Sequence, residues 1–133
     1  MKEHWGNTIW RFLHVLVEKV DEKKFKEQKC SIIDFINYIG TNLPCGFCSQ
    51  HYKKFNFICY DKIYHKDGLI KELWIIHNRV NTSKKSSEYN INVLKQYNEY
   101  ELKEVMSDHF DLINMYKHVN IEKIQNYLQL LDL

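Results

Sequence analysis

Apolar residues recur at helical spacing along most of the chain, and this periodicity limits the possible folds more than any other feature. Residues 4–20 show it most clearly, because apolar side chains occupy two faces of one helix at i, i+3 and i+4 intervals. The first face holds Trp5, Ile9, Phe12, Leu13, Leu16 and Val20, and the second holds Trp10, His14 and Val17. A helix with two apolar faces has to pack against two separate apolar surfaces. We expect the protein core on one side and a ligand or a second subunit on the other.

The same spacing predicts further helices and no convincing pair of strands. The helices that follow are predicted at residues 25–40, 45–55, 66–81, 89–110 and 121–133. The charged residues 21–29 are expected to hold the turn before the second helix, and Asp67 is expected to cap the fourth. We therefore predict an all-α protein in which residues 1–133 form one domain.

The fourth predicted helix carries a polar face beside its apolar stripe. Trp74, His77, Asn78 and Asn81 are spaced i, i+3, i+4 and i+7, so they share one side of that helix. A histidine and two amides are costly to bury unless something polar meets them. This face therefore predicts contact with a polar ligand. For Trp10 and His14 of the first helix, the simpler alternative is core packing.

Cys45 and Cys48 form a CxxC sequence between the only proline of the chain, Pro44, and a predicted helix. In the first turn of a helix, unpaired backbone N–H groups and the positive end of the dipole favour a thiolate. Such a pair also closes into a tight disulfide that another thiol opens easily. The placement therefore predicts a redox-active dithiol.

Other interpretations of the CxxC remain open from the residues alone. Cys45, Cys48 and His51 would make a zinc site if Cys59 or Cys30 supplied a fourth ligand. The cysteines could also be buried thiols without a chemical role. The Cys-Gly-x-Cys order resembles the active sites of thioredoxins, but those folds need βαβ units and a cis-proline facing the dithiol.

The charge and hydropathy of the chain argue against two classes of partner. A net charge of +2, with no basic stripe interleaved with aromatic residues, does not predict a nucleic-acid partner. The first residues do not form a signal peptide, and no apolar run is long enough to cross a bilayer. We expect a soluble, unsecreted chain in the cytoplasm, where cysteines are more often catalytic or metal-binding than structural disulfides.

Three motifs in a fixed order resemble the Erv/ALR family of FAD-linked sulfhydryl oxidases. The first is Trp5-Gly6-x-x-x-Trp10-x-x-Leu13-His14, the second is Leu43-Pro44-Cys45-Gly46-Phe47-Cys48, and the third is His77-Asn78-Arg79-Val80-Asn81. Each motif alone would be weak, but the combination is specific. The resemblance covers residues 4 to about 85 and implies FAD as the cofactor and no metal.

The resemblance also implies an architecture, a route for electrons and a set of site residues. The fold would be a four-helix bundle with a short fifth helix over about residues 4–90, followed by a helical extension over 91–133. A dithiol would attack the Cys45–Cys48 disulfide at Cys45, and Cys48 would pass two electrons to the flavin and thence to O₂, giving hydrogen peroxide. The residues implied to bind FAD are Trp5, Gly6, Trp10, His14, His51, His77, Asn78, Val80, Asn81, Lys84 and Lys85.

Departures from the family pattern shape the expected partners. No cysteine follows Cys59, so the disulfide that pins the adenine end of FAD in many members is absent, and no shuttle cysteine pair is present. We therefore expect electrons to come directly from a thioredoxin-like or CxxC protein. Cys30 and Cys59 are expected to be unpaired buried thiols, with a bridge between them as the alternative. The resemblance further implies a homodimer, and minimal versions of this kind resemble enzymes of large cytoplasmic DNA viruses.

Overall fold

The computed structural model describes residues 2–83, 90–116 and 119–132, and these parts of the chain contain helices and loops but no β-strand. The predicted all-α class is therefore confirmed. The α-helices are α1 Lys2–Lys19, α2 Glu22–Gly40, α3 Gly46–His51, α4 Lys66–Ser83, α5 Leu102–Ile113 and α6 Ile121–Leu131. A π-helical segment, Tyr52–Asn56, continues α3, and 3₁₀-helices cover Tyr60–Lys62 and Ile91–Glu99.

The second helix begins earlier than its sequence predicts. The Asp21 carboxylate accepts a hydrogen bond of 2.7 Å from the backbone N–H of Lys24, which caps the helix so that it starts at Glu22. The helix is kinked at Gln28, where φ is −125° and ψ is 24°. The prediction of a turn over residues 21–29 is therefore wrong, because one side-chain cap is enough to start the helix within this charged stretch.

Two other predicted boundaries also differ from the structure. The helix predicted at 89–110 is divided, because Tyr100 and Glu101 adopt extended conformations between the 3₁₀-helix and α5. Tyr97 in the 3₁₀-helix and Tyr100 just after it both reach α1, where Tyr97 stacks on His14 and Tyr100 lies beside Arg11. Asp67 lies inside the first turn of α4 and is not its N-cap, since that helix begins at Lys66.

Helix α1 lies at the centre of the packing, as its two apolar faces predict. It contacts α4, the Ile91–Glu99 helix and α5, whereas α2 packs against α6 and the segment that follows α3. Phe12 on α1 is fully buried and meets Phe35 of α2 edge-on, with ring centroids 6.1 Å apart. Each large apolar side chain buried in this way contributes about 1.5–3 kcal/mol to stability. The division into a core over 4–90 and an extension over 91–133 stays a prediction.

The other side of Phe12 packs against a buried histidine on α5. The His109 ring is 1% exposed and stacks on Phe12 at 4.5 Å between centroids. Neither ring nitrogen of His109 has a hydrogen-bond partner among the described residues. Burial lowers the pKa of His109 from 6.5 to about 4, so the ring is neutral at neutral pH.

A buried asparagine fixes the chain that follows the CxxC. The Asn37 side chain on α2 donates to the carbonyl of Ile58 at 2.8 Å and accepts from its N–H at 2.9 Å. The same Asn37 oxygen accepts a hydrogen bond of 2.8 Å from the hydroxyl of Tyr52. These bonds are buried, so they hold Tyr52 and the loop at Ile58 firmly against α2.

We expect Gly40→Ala to destabilise the protein by about 1–3 kcal/mol, the usual cost of overpacking a core. A Cβ at Gly40 would lie 2.4 Å from Cε1 and Cζ of Tyr52, whose ring cannot retreat while its hydroxyl is bonded to Asn37. The gain in helix propensity, about 0.5–1 kcal/mol, only partly offsets this clash. Chemical denaturation measures the change in the free energy of unfolding.

Gly68→Ala is the matched control for this prediction. Gly68 also lies in a helix, but no atom stands within 4 Å of a Cβ built there. This substitution is expected to be neutral or stabilising by up to about 1 kcal/mol. Equal effects of the two substitutions would show that the Gly40–Tyr52 contact does not constrain the fold.

Candidate functional site

The two predicted redox cysteines are joined in a disulfide at the start of α3. Cys45 is the N-cap residue, and its Sγ accepts a hydrogen bond of 3.2 Å from the backbone N–H of Cys48. The Ser49 hydroxyl accepts from the N–H of Leu43 at 2.7 Å and so closes the turn around Pro44. The N–H at Cys45 Sγ stabilises negative charge on this sulfur when the disulfide is opened.

An apolar cleft of about 240 Å³ opens beside the disulfide. Cys48 lines this cleft and Cys45 does not, which separates the roles available to the two sulfurs. The walls come from α1, from α4 and from the chain around the CxxC: Trp5, Ile9, Trp10, Leu13, Gly40, Leu43, Phe47, Cys48, His51, Tyr52 and Val80. A planar aromatic molecule inserted here would meet rings and aliphatic side chains on most sides.

A second cleft, of about 230 Å³, has mostly polar walls. Trp10 lines both clefts, and its ring stacks on His77 with centroids 4.4 Å apart and planes 9° from parallel. The second cleft is lined by Asn7, Trp10, Arg11, His77, Val93, Gln96, Tyr97 and Tyr100. An apolar and a polar compartment therefore meet at one tryptophan.

His14 lies on the same side of α1 as Trp10 and is 3% exposed. Its Nδ1 is buried without a hydrogen-bond partner among the described residues, and its ring stacks on Tyr97 at 4.6 Å. Burial, with a smaller contribution from the neighbouring His77, lowers the pKa of His14 from 6.5 to about 3. A buried polar atom left unpaired costs about 1–3 kcal/mol. His14 itself lines neither cleft, but its ring lies beside those of Trp10 and His77, which do.

Three further predicted ligand contacts, Gly6, Asn78 and Asn81, line neither cleft. Gly6 is half-buried on α1, and no protein atom stands within 4 Å of a Cβ built there. Asn78 is buried and Asn81 half-buried on α4, in the same helix as His77, but neither lines a cleft, and nor does Trp74. Lys84 and Lys85 lie outside the described residues.

Several residues at the clefts were not predicted from the sequence. Arg11 could have been, because Asn7, Trp10, Arg11 and His14 are spaced i, i+3, i+4 and i+7 on one side of α1. Its guanidinium carbon lies 4.9 Å from the ring centroid of Tyr100. No sequence signal connects the 3₁₀-helix residues with α1, since that contact forms only in the folded chain.

The remaining cysteines are unpaired, as expected, but they are exposed and not buried. Cys30 follows the kink at Gln28 on the outer side of α2, and Cys59 precedes the short Tyr60–Lys62 helix. The prediction of burial failed because neighbouring isoleucines, rather than these thiols, fill the core positions. No three histidine, cysteine or acidic side chains within the described ranges are grouped as metal ligands would be.

Comparisons with known proteins place the chain in a family and show its similarity to a characterised relative. A sequence model described as the Erv1 / Alr family matches residues 7–101. The relative is the FAD-linked sulfhydryl oxidase ERV2 of Saccharomyces cerevisiae, 26% identical over 100 residues, which are 73% of this chain and 50% of that protein. No solved structure gives a significant match. In the described part of the chain, every helix is too short or too polar to cross a membrane.

Proposed function

The chain belongs to the Erv1 / Alr family, and on that premise we propose that it is a FAD-linked sulfhydryl oxidase that forms disulfides in partner proteins. One observation carries the proposal: the Cys45–Cys48 disulfide has one sulfur on a cleft whose walls are aromatic and aliphatic. A redox disulfide in contact with such a cleft is suited to exchanging electrons with a flat redox cofactor.

The residues at the clefts fit FAD in both shape and chemistry. The apolar cleft suits an isoalloxazine ring, and the polar cleft suits the nucleotide tail. Each cleft is below the roughly 300–1,000 Å³ that is typical of small-molecule sites, but the two meet at Trp10 and together reach that range. The unpartnered Nδ1 of His14 supplies a polar atom that a bound nucleotide would satisfy.

We assign FAD binding to the residues that the sequence suggested and to others that line the clefts. Trp10 and His77 would position the cofactor through their stacked rings. Trp5, His51 and Val80 would enclose the apolar cleft, while Gly6, His14, Asn78 and Asn81 would serve the nucleotide tail. Lys84 and Lys85 stay predicted contacts, and Arg11 is added because it lines the polar cleft.

The chain's own part in the reaction is thiol–disulfide exchange. A partner thiolate attacks Cys45 Sγ, which breaks the bond to Cys48 and releases that sulfur as a thiolate. The second partner thiol loses its proton and attacks the mixed disulfide, so the partner leaves oxidised and both cysteines are left reduced. The backbone N–H at Cys45 Sγ stabilises this sulfur as the leaving group of the second exchange.

The Cys48 sulfur lies at the apolar cleft, and we propose that the electron pair leaves the protein there. When bound, FAD supplies chemistry that no side chain here has, since it accepts two electrons from thiols and gives them to O₂ as hydrogen peroxide. Tyr52 and Trp10 help to exclude water from this contact. Re-forming the Cys45–Cys48 disulfide releases two protons and completes the cycle.

Finer parts of the proposal depend on the family resemblance alone. We propose that the partner is a thioredoxin-like or CxxC protein, because the described cysteines include no shuttle pair. We also propose a homodimer that works in the cytoplasm, as the related enzymes of large DNA viruses do. Sedimentation and cell fractionation test these two points separately.

The proposed cofactor predicts a yellow protein whose flavin content depends on Trp10. The wild-type protein is expected to copurify with about one FAD and to consume O₂ when dithiothreitol is added. Trp10→Ala should weaken FAD affinity by about tenfold or more, since it removes a large aromatic surface from both clefts. Titration of the apoprotein with FAD, followed by flavin fluorescence, measures the dissociation constant.

Trp10→Phe and a surface variant provide the controls. Trp10→Phe keeps an aromatic ring and should lose less affinity than the alanine variant. Tyr64→Ala removes an exposed ring that lines neither cleft and should leave FAD binding unchanged. A colourless wild-type protein that binds zinc through the cysteines would contradict the proposed function.

A further inference from the structure

Two exposed phenylalanine rings and a half-buried histidine ring between them lie in a row that begins between the two redox cysteines. Phe47, in α3, is 78% exposed, and Phe55, in the π-helical segment that continues α3, is 57% exposed. Phe47 and His51 also lie at the edge of the site, since both line the apolar cleft. The His51 ring centroid lies 6.4 Å from that of Phe47 and 4.8 Å from that of Phe55. We name these three residues the aromatic row. Adjoining exposed rings differ from the scattered apolar residues of an ordinary surface and mark an interaction site.

The surroundings of the aromatic row are positively charged. Lys53 and Lys54 are exposed on the π-helical segment, and Lys54 Nζ lies 5.2 Å from the ring centroid of Phe55. Residues 45–60 contain no acidic side chain. An apolar strip flanked by lysines is complementary to a segment that carries an apolar side chain and acidic residues.

We propose that the aromatic row, with Lys53 and Lys54, is the docking surface for the cysteine-bearing segment of the partner protein, and that this segment is apolar next to its cysteines and acidic beyond them. The inference rests on the proposed oxidase function. A chain that brings a thiolate to Cys45 comes close to Phe47, because this exposed residue lies two positions after Cys45 in the first turn of α3. The first contact of the partner is therefore with the aromatic row.

A second copy of this chain is a less suitable occupant. An interface between copies that covered Phe47 would also cover the Cys45–Cys48 disulfide, which the exchange with a partner needs open. Contact between copies at the aromatic row would then prevent a partner thiol from reaching the disulfide. A partner segment that docks, exchanges and leaves is compatible with both the exposure and the chemistry.

The experiment compares substrates that differ only in docking. One peptide carries a CxxC with an adjacent leucine and several glutamates, a second has lysines in place of the glutamates, and dithiothreitol serves as the substrate without a docking segment. The wild-type holoenzyme should oxidise the acidic peptide with a kcat/KM about tenfold above that of the basic peptide, an advantage that salt should reduce. The rate of O₂ consumption measures each reaction.

Variants locate the preference on the surface. Phe55→Ala should lower kcat/KM for the acidic peptide about fivefold or more, because it removes the apolar contact. The double variant Lys53→Glu with Lys54→Glu should reverse the preference between the acidic and basic peptides. Both variants should oxidise dithiothreitol at the wild-type rate, because none of these three side chains lines a cleft. Tyr64→Ala is the matched control, since it removes another highly exposed ring.

Three outcomes would overturn the docking surface. The first is an equal kcat/KM of the wild-type protein for the acidic and the basic peptide. The second is an equal loss of kcat/KM for the acidic peptide in Phe55→Ala and Tyr64→Ala. The third is a Phe55→Asp variant that converts a dimer to a monomer while keeping the peptide preference, which would assign the row to contact between copies. Size-exclusion chromatography with light scattering distinguishes this last case.

Failure of the oxidase function would be distinguishable from failure of the docking surface. A wild-type protein that does not oxidise dithiothreitol would overturn the function itself. Docking would still be measured by fluorescence anisotropy, using a labelled acidic peptide with serines in place of its cysteines. Tighter binding of this peptide to the wild-type protein than to Phe55→Ala supports the surface, and equal binding overturns it.

Discussion

Cys48→Ser is expected to lower the oxidation rate of dithiothreitol by roughly a thousandfold or more, as removal of a covalent catalytic group usually does. Without this sulfur the enzyme has no disulfide for a substrate thiolate to attack, and no sulfur lines the apolar cleft. Cys45→Ser should lose as much activity, because it also removes the disulfide. Oxygen consumption at a fixed concentration of FAD-loaded enzyme measures both variants.

The two variants should differ in their absorbance although neither turns over. Cys45→Ser leaves a free Cys48 thiol on the apolar cleft, and its thiolate beside the bound flavin should add a long-wavelength band that disappears on acidification. Cys48→Ser leaves the free thiol at Cys45, which does not line the cleft, and should show no such band. A long-wavelength band in Cys48→Ser alone would show that Cys45, and not Cys48, is the sulfur beside the flavin.

Cys30→Ser and Cys59→Ser are the matched controls for this pair. Both thiols are unpaired and exposed, and neither lines a cleft. Each variant should therefore keep the wild-type rate and the wild-type spectrum. Loss of turnover in either one would mean that electrons reach the Cys45–Cys48 disulfide through a further cysteine, contrary to the direct exchange proposed above.

The central helix could be predicted from its apolar periodicity, but the two faces are not divided between core and cleft as expected, because Trp5, Ile9 and Leu13 of the first face line the apolar cleft. The structure buries the Phe12 side in the core and places Trp10 where two clefts meet. The position of the CxxC at the start of a helix could also be predicted, since the proline, the cysteine spacing and the helix start are all local features of the sequence. Local patterns with a strong period survive folding, which is why α1, α4 and α6 lie near their predicted positions.

The features that sequence reasoning missed depend on contacts between distant parts of the chain. The division at Tyr100 follows from placing Tyr97 on His14 and Tyr100 beside Arg11, which no local spacing reveals. The early start of α2 depends on a single hydrogen bond from Lys24 to Asp21. The aromatic row was also missed, because the sequence does not show that Phe47 and Phe55 remain outside the core.

The second large effect is expected on stability, which should fall steeply as the pH drops below about 6.5. In the unfolded chain, His14 and His109 bind protons near the ordinary histidine pKa of 6.5, whereas burial lowers the folded-state pKa values to about 3 and about 4. Between these limits the unfolded state holds more protons, so the free energy of unfolding decreases as the pH falls. Above pH 6.5 both histidines are neutral in the folded and the unfolded chain, so the free energy of unfolding no longer depends on their protonation.

His109 allows this linkage to be tested away from the proposed cofactor site, because it lines neither cleft. A pKa lowered from 6.5 to about 4 corresponds to a loss of about 3 kcal/mol on acidification. His109→Leu should remove this loss, and should also stabilise the protein at pH 7 by about 1 kcal/mol, since two buried nitrogens without partners disappear. Urea denaturation of the apoprotein at several pH values measures both effects.

His65→Leu is the surface control, since this histidine is exposed and its replacement leaves the packing on Phe12 intact. The His65 variant should keep the acid dependence of the wild-type protein, while His109→Leu flattens it. The residual slope in His109→Leu should come from His14, and saturating FAD should extend that slope to lower pH, because a cofactor that binds only the neutral ring lowers the folded-state pKa of His14 further. An identical pH dependence of the free energy of unfolding in wild type and His109→Leu would contradict this account. It would mean that the interface between α1 and α5 accommodates the charged His109 ring, with Phe12 and His109 separating while the chain stays folded.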